Sequence, residues 1–368
     1  MNKKGCLVWF LFVFLFLDLL AILLFLGLGV YLFLSEAPKE ETTNSNTNEQ
    51  IEEVTNLEYE QAEWEIDKEY YETKKYDLVE TLTFANYGLN DAKNVEVWVA
   101  LAPTINNYQQ VLSREISPSG YELVSDENGN QFAKFTFNYM KAIDGQYVPE
   151  EIHEIKIIYQ VKLASYVDYI DQCTGEKPNT FLDPEVYIES DDLEIMELAR
   201  DLSEGASTDC EKAEIYYNYV ADNMNYEKNI TYGGALNAMY TELGDCTDYS
   251  DYYVALCRAS GIPARFITGL VYTEGETDYT NMLHNWAEVY LPGTGWTQVD
   301  PTIGQPDYNR SYYFAAATGD QVIITRGRQP ELLGEDYYFH YTYEDVDDGY
   351  SAVDFTEDWQ FTPVLTDQ

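Results

Sequence analysis

Cys246, His284 and Asp300 are of the types, and come in the order, that nucleophilic acyl transfer requires. Cys246 stands in Gly244-Asp245-Cys246-Thr247-Asp248-Tyr249-Ser250, directly before an apolar-periodic run that Gly261 and Pro263 stop. At the start of a helix, unpaired backbone N–H groups and the helix dipole favour a thiolate, the form of cysteine that attacks a carbonyl. His284, in His284-Asn285-Trp286-Ala287-Glu288-Val289-Tyr290, offers a base. Asp300, in Gly295-Trp296-Thr297-Gln298-Val299-Asp300-Pro301, offers a carboxylate to hold that base in one tautomer. Singly each has a plainer meaning: a buried thiol, a core histidine, an aspartate opening a turn before proline. Together they form a set.

The elements around this set have to bring the three together. Helical spacing predicts a helix beginning near Ser190 and running to about Ser203. A capping box at Thr208-Asp209-Cys210-Glu211 opens a second, and a third runs from Gly234 to Leu243. The Cys246 helix is expected over Thr247 to Ala259, with Tyr249, Tyr253, Leu256 and Cys257 as its buried face. Strands are expected at Arg265 to Tyr272, Leu283 to Leu291, Trp296 to Val299, Val322 to Thr325 and Tyr337 to Tyr343. Helices followed by a strand meander make an α+β domain, bounded here at 170–345. Arg265 is read as the partner of a core carboxylate, Trp286 and Trp296 as core, and Asp245 and Asp248 as capping or solvated carboxylates.

Upstream, residues 57–169 alternate in short runs separated by turn signals, as in Val95-Glu96-Val97-Trp98-Val99 and Phe132-Ala133-Lys134-Phe135. This pattern predicts an immunoglobulin-like β-sandwich. It holds no nucleophile–base pair, so it is expected to fold by itself and to contribute nothing to the chemistry. Residues 35–56 are rich in Thr, Asn and Glu and read as a flexible stalk. Residues 346–368 read as an acidic C-terminal tail.

Residues 1–34 comprise a basic stub and an apolar run from Leu7 to Leu34, broken by Asp18. The run exceeds the roughly 20 residues that span a bilayer and the h-region of a cleaved signal. Lys3 and Lys4 precede it, which puts the N-terminus in the cytoplasm and the rest outside, as a single-pass membrane protein. With 65 acidic against 21 basic residues and a net charge of −44, nucleic acid is excluded as a partner. Of five cysteines, Cys6 sits at the membrane edge. Cys257 lies three turns past Cys246, about 16 Å along the helix, too far to bridge to it. Cys173 and Cys210 remain as the pair that an extracytoplasmic setting would allow to join. No spacing suggests a metal or a cofactor.

Gly244-Asp245-Cys246, the segment Arg258-Ala259-Ser260-Gly261-Ile262-Pro263-Ala264-Arg265, the His284 segment and Val299-Asp300-Pro301-Thr302 together resemble the transglutaminase-like superfamily over about 185–328. With its anchor and leading β domain, the chain resembles the membrane-attached archaeal and bacterial members. The resemblance implies a papain-like catalytic core with Cys246 as nucleophile, His284 as base and Asp300 as orienting residue. It also implies a protein or peptide substrate, processed by hydrolysis or by transfer to an amine. Asn285 stands where a small residue is usual and is expected to alter only local packing. The rival reading is a cell-surface scaffold or adhesion protein that keeps the fold without turnover.

Overall fold

The computed structural model describes residues 72–364, apart from 144, 169, 171–172, 229–232 and 347–348. The expected span Leu7 to Leu34 and the stalk 35–56 lie outside the described residues. Among those described, no helix is long and apolar enough to cross a membrane.

The described chain opens with strands β1 (Glu72–Asn86), β2 (Ala92–Leu101), β3 (Gln109–Ser117), β4 (Glu122–Ser125), β5 (Gln131–Met140) and β6 (Ile152–Val167). Helices α1 (Leu193–Leu202), α2 (Asp209–Asn223), α3 (Gly234–Thr241) and α4 (Cys246–Ala259) follow, with two-residue strands β7 (Asn225–Tyr226) and β8 (Leu243–Gly244) among them. Then come β9 (Ala264–Val271), β10 (Leu283–Leu291), β11 (Gly295–Val299), β12 (Ala316–Thr318), β13 (Gln321–Arg326), β14 (Phe339–Asp345) and β15 (Val353–Pro363).

Two antiparallel sheets build the first part, in the orders β12-β6-β1-β15, with β3 also on β6, and β14-β2-β5-β4. Alternation along β1 turns Tyr76, Leu78, Leu82 and Phe84 inward, where they share a core with Val95, Val97 and Val99 of β2. The alternating pattern therefore did mark a two-sheet β region. Its boundaries and its immunoglobulin-like description need correction. Phe339–Asp345, expected to extend the catalytic meander, pairs instead with β2. Val353–Pro363, expected in a tail, pairs with β1 over its whole length and buries Trp359 and Phe361. An immunoglobulin-like sandwich closes within one continuous segment. Here three edge strands, β12, β14 and β15, return from beyond the Cys246, His284 and Asp300 segments, and both parts fall in one compact unit, Glu60–Gln368.

The second part is a four-stranded sheet, β11-β10-β9-β13, with helices against one face and the β region against the other. Both faces are covered, so β9 is buried at every position from Ala264 to Leu270. Phe266 enters the helical core, and Ile267 enters the core shared with the first two sheets. Local signals set the helix ends. Thr208 and Glu211 form the expected capping box of α2, whereas α1 is capped by Asp192, not Ser190. Cys173 and Cys210 are joined, with Cα atoms 5.9 Å apart, tying the inter-domain loop to α2 as expected.

β13 is the outer strand of its sheet, and its free edge is occupied by side chains from the first β region. The Gln109 carboxamide accepts from Ile323 N (2.8 Å) and donates to Ile323 O (2.8 Å), as a neighbouring strand's backbone would. Asn130 does the same at Arg326, with bonds of 2.9 and 2.8 Å. The Tyr108 hydroxyl donates to Gln321 O. The two parts are thus joined by directional bonds as well as by apolar packing.

Candidate active site

Cys246 is the first residue of α4, and the helix start is doubly capped. The Asp245 side chain accepts from Thr247 N (2.9 Å) and from Asp248 N, while Asp248 Oδ2 accepts from Asp245 N (3.1 Å). The two aspartates therefore cap as expected, but neither is solvated. Burial pushes the Asp248 carboxyl up to about 6. Helix α4 is buried along its length, and the expected apolar stripe is only one of its faces. Helices α1, α2 and α3 pack on it opposite β9 and β10. Two of its charged residues are paired within: Arg328 Nε donates to Asp251 at 3.0 and 3.2 Å, and Arg258 meets Glu185 at 2.6 Å. Cys257 faces the core, where burial pushes its thiol up to about 12. Such a thiol is a packing group; Cys246 is likewise unbridged but partly exposed.

His284 lies on β10, and the β10–β11 hairpin carries Asp300 to it. Its Nε2 is 2.7 Å from Asp300 Oδ2, and Cys246 is near enough to the ring to act on its charge. Burial alone would push the imidazole down. The Asp300 charge and hydrogen bond, with Cys246, outweigh this and carry it from 6.5 up to about 10. The structure therefore pairs His284 directly with Asp300 and sets Cys246 beside the same ring.

Asp300 is 2% exposed, and both its oxygens are occupied. Oδ1 accepts from Thr302 N (3.1 Å) and Ile303 N (3.0 Å), so the turn before Pro301 is also what fixes the carboxylate. Oδ2 takes His284 and the Gln321 amide, at 3.0 Å. Trp286 stacks on the His284 ring with centroids 5.8 Å apart, and its Nε1 donates to Gln298 Oε1 at 3.1 Å. As expected it is core, and so is the Arg265–Glu288 pair at 2.5 Å, with Arg265 lying 4.0 Å over the Trp296 ring.

Two residues escaped the sequence reading. Asn285, expected to affect only packing, donates from Nδ2 to Thr247 Oγ1 at 3.0 Å. It thereby ties the strand residue after His284 to the helix residue after Cys246. Gln321 holds Asp300 from a strand that sequence spacing does not connect to it. Neither carries a local signal, because each acts only through a partner distant in sequence. A cleft of about 330 Å³ opens beside His284, lined among others by Tyr226, Asn281, Thr302 and Gln305. Among the described residues, no group of three His, Cys, Asp or Glu is placed to hold a metal ion.

Residues 196–301 match the model of the transglutaminase-like superfamily. YebA of Bacillus subtilis is 38% identical over 76 residues, 17% of this chain and 10% of that protein, so the match spans about a tenth of its length. An uncharacterized Haemophilus influenzae protein is 26% identical over 270 residues, covering 64% of this chain and 70% of its own. A solved Cytophaga hutchinsonii protein, described as a candidate cysteine protease, superposes with a TM-score of 0.57 at 18% identity. That match covers 81% of this chain and 93% of the other, and it shows a shared fold. The segment that holds α2 to α4, the Cys246 helix start and the β10–β11 hairpin is therefore similar to the transglutaminase-like superfamily over residues 196–301, within a fold shared with the Cytophaga hutchinsonii protein.

Proposed function

We propose that this protein is an extracytoplasmic, membrane-anchored cysteine enzyme that hydrolyses or transfers acyl groups at peptide or isopeptide amides. The observation that carries this reading is the His284–Asp300 hydrogen bond, with Cys246 acting on the same ring and His284 lining a cleft. His284 takes the Cys246 proton, and the sulfur attacks the amide carbonyl carbon. The carbonyl oxygen gains charge. Asp245 already occupies the Thr247 and Asp248 amides, so we assign the Cys246 N–H to that oxygen. The C–N bond breaks, the leaving nitrogen takes the proton from His284, and a thioester remains. Water or a primary amine then attacks the thioester, giving its proton to His284, and the sulfur leaves. Asp300 keeps the imidazolium paired throughout. The Cys173–Cys210 bridge supports an oxidising compartment, and the Leu7 to Leu34 run supports an anchor.

The test incubates the chain from residue 60 onward with casein, with and without the primary amine monodansylcadaverine, and reads products by mass. Hydrolysed or amine-bearing casein is expected, with both lost in Cys246→Ala and both kept in Cys257→Ala. Equal product from the wild type and Cys246→Ala would refute the assignment. A folded wild type that makes no product and leaves Cys246 unlabelled by iodoacetamide would favour a scaffold role.

A further inference from the structure

We infer that the first β region is part of the catalytic machinery: Tyr108 and Gln109 seat β13 so that Gln321 holds the oxygen of Asp300 that faces His284. This rests on the catalytic reading of Cys246, His284 and Asp300 and extends it to residues that touch none of the reacting atoms. Gln321, Tyr108 and Gln109 are positioning residues.

Three observations converge. Gln321 is 1% exposed, and its Nε2 donates at 3.0 Å to Asp300 Oδ2, the oxygen that also takes His284 Nε2. Oδ1 is held separately by the Thr302 and Ile303 amides. Gln321 is therefore the group that fixes the second oxygen independently of the histidine. The backbone of Gln321 is in turn held from outside its own sheet. Its carbonyl takes the Tyr108 hydroxyl, and two residues on, both backbone groups of Ile323 are bonded to Gln109. Gln109 has no exposed surface, and its amide also donates to Pro103 O at 2.9 Å, so every polar atom of that side chain is committed. Gln298 supports the ring separately: its Oε1 accepts from Trp286, which stacks on His284.

An edge strand without a neighbour has soft register and exposed donors and acceptors. Buried amides in place of a strand hold it rigidly at the cost of sequence freedom, and a glutamine displaced by about half an ångström no longer aims at Asp300. The consequence falls on the Cys246–His284 pair. An imidazolium beside a well-placed carboxylate holds a thiolate at pH values where an ordinary thiol is protonated and unreactive. Loosening Asp300 should erase that advantage at low pH and leave reactivity at high pH unchanged, where the thiolate forms unaided.

The test is the second-order rate of Cys246 alkylation by iodoacetamide between about pH 5 and pH 10 in the chain from residue 60 onward, with sites assigned by mass. Gln321→Met keeps volume and removes the donor. Tyr108→Phe removes one oxygen and carries the test should Gln321→Met fail to fold. At about pH 6 we expect Gln321→Met to slow alkylation at least about tenfold and Tyr108→Phe about fivefold. At about pH 10 both should remain within about twofold of the wild type, and their thermal unfolding should stay cooperative. Rates unchanged at the lower pH would overturn the inference while leaving the catalytic reading intact. Rates lowered equally at both pH values would reduce the two residues to structural supports and overturn it as well. A wild type no faster at the lower pH than free cysteine would bring down the catalytic reading first, and the inference with it.

Discussion

Replacing Asp300 by Asn leaves the shape of the site intact and removes its charge. The substituted side chain could still accept from Thr302 N and Ile303 N through its amide oxygen, so the turn should survive. The imidazole, however, would lose the carboxylate 2.7 Å from its Nε2. In the wild type, burial works against the imidazolium, and Asp300 followed by Cys246 works for it, with the net result at about 10 against 6.5 for a free side chain. At ~1.4 kcal/mol per pH unit, that difference is roughly 5 kcal/mol of preference for the charged ring. Asp300 stands ahead of Cys246 among the groups that raise it, so we assign it at least ~3 kcal/mol. His284 in Asp300→Asn should then titrate at least about two pH units lower. The assay is an NMR titration of imidazole C–H resonances, which is tractable because the chain has 3 histidines. Repeating it in Cys246→Ala isolates Asp300 from the thiol. Stability gives an independent check with a definite sign. A folded ionisation raised above its unfolded value stabilises fully below about 6.5 and loses that contribution as pH rises through about 10. The gap in unfolding free energy between wild type and Asp300→Asn should be widest near about pH 6 and narrow towards about pH 10. Equal midpoints for His284 in the two proteins, or a gap that widens with pH, would refute the reasoning.

Gly269 lies opposite His284 in the β9–β10 register, and a Cβ there would press into the Val322 carbonyl and the Trp286 ring. Gly269→Ala should cost about 1–3 kcal/mol in urea unfolding and slow Cys246 alkylation. Arg328→Met strands the Asp251 carboxylate inside the domain; removing one partner of such a pair costs about 3–5 kcal/mol, and a loss below about 1 kcal/mol would show that the pair contributes little. Deleting 346–368 removes β15 and with it buried Val353, Trp359 and Phe361, at about 5 kcal/mol or more by apolar burial. Calorimetry should show no cooperative transition near the wild-type temperature, and an unchanged melting temperature would contradict the strand pairing. Protease added to intact cells should digest the region after the Leu7 to Leu34 run, and protection would reverse the proposed orientation.

Periodicity and capping are local properties, and they were legible. The Thr208 box, the helix that begins at Cys246, the strand Leu283–Leu291 and the order of Cys246, His284 and Asp300 could all be read from neighbouring residues. The turn signal at Asp300-Pro301 was legible too, and it proved to anchor the carboxylate beside His284. What could not be read is partnership. The alternation in Val353–Pro363 encodes a strand with one buried face, but backbone donors and acceptors are the same for every residue, so nothing local selects β1 as its neighbour. A run rich in Asp and Glu then looked like a tail until Trp359 and Phe361 were placed against the core. The same limit hid the polar residues of α4. Asp251 and Arg258 interrupt an apolar pattern in sequence and become buried only because Arg328 and Glu185 arrive to pair with them. Asn285 and Gln321 are the sharpest cases. An amide is neutral and polar, equally at home in solvent or in a core. Whether it reaches Thr247 or Asp300 depends on a strand register and an edge contact that the folded sheet alone establishes.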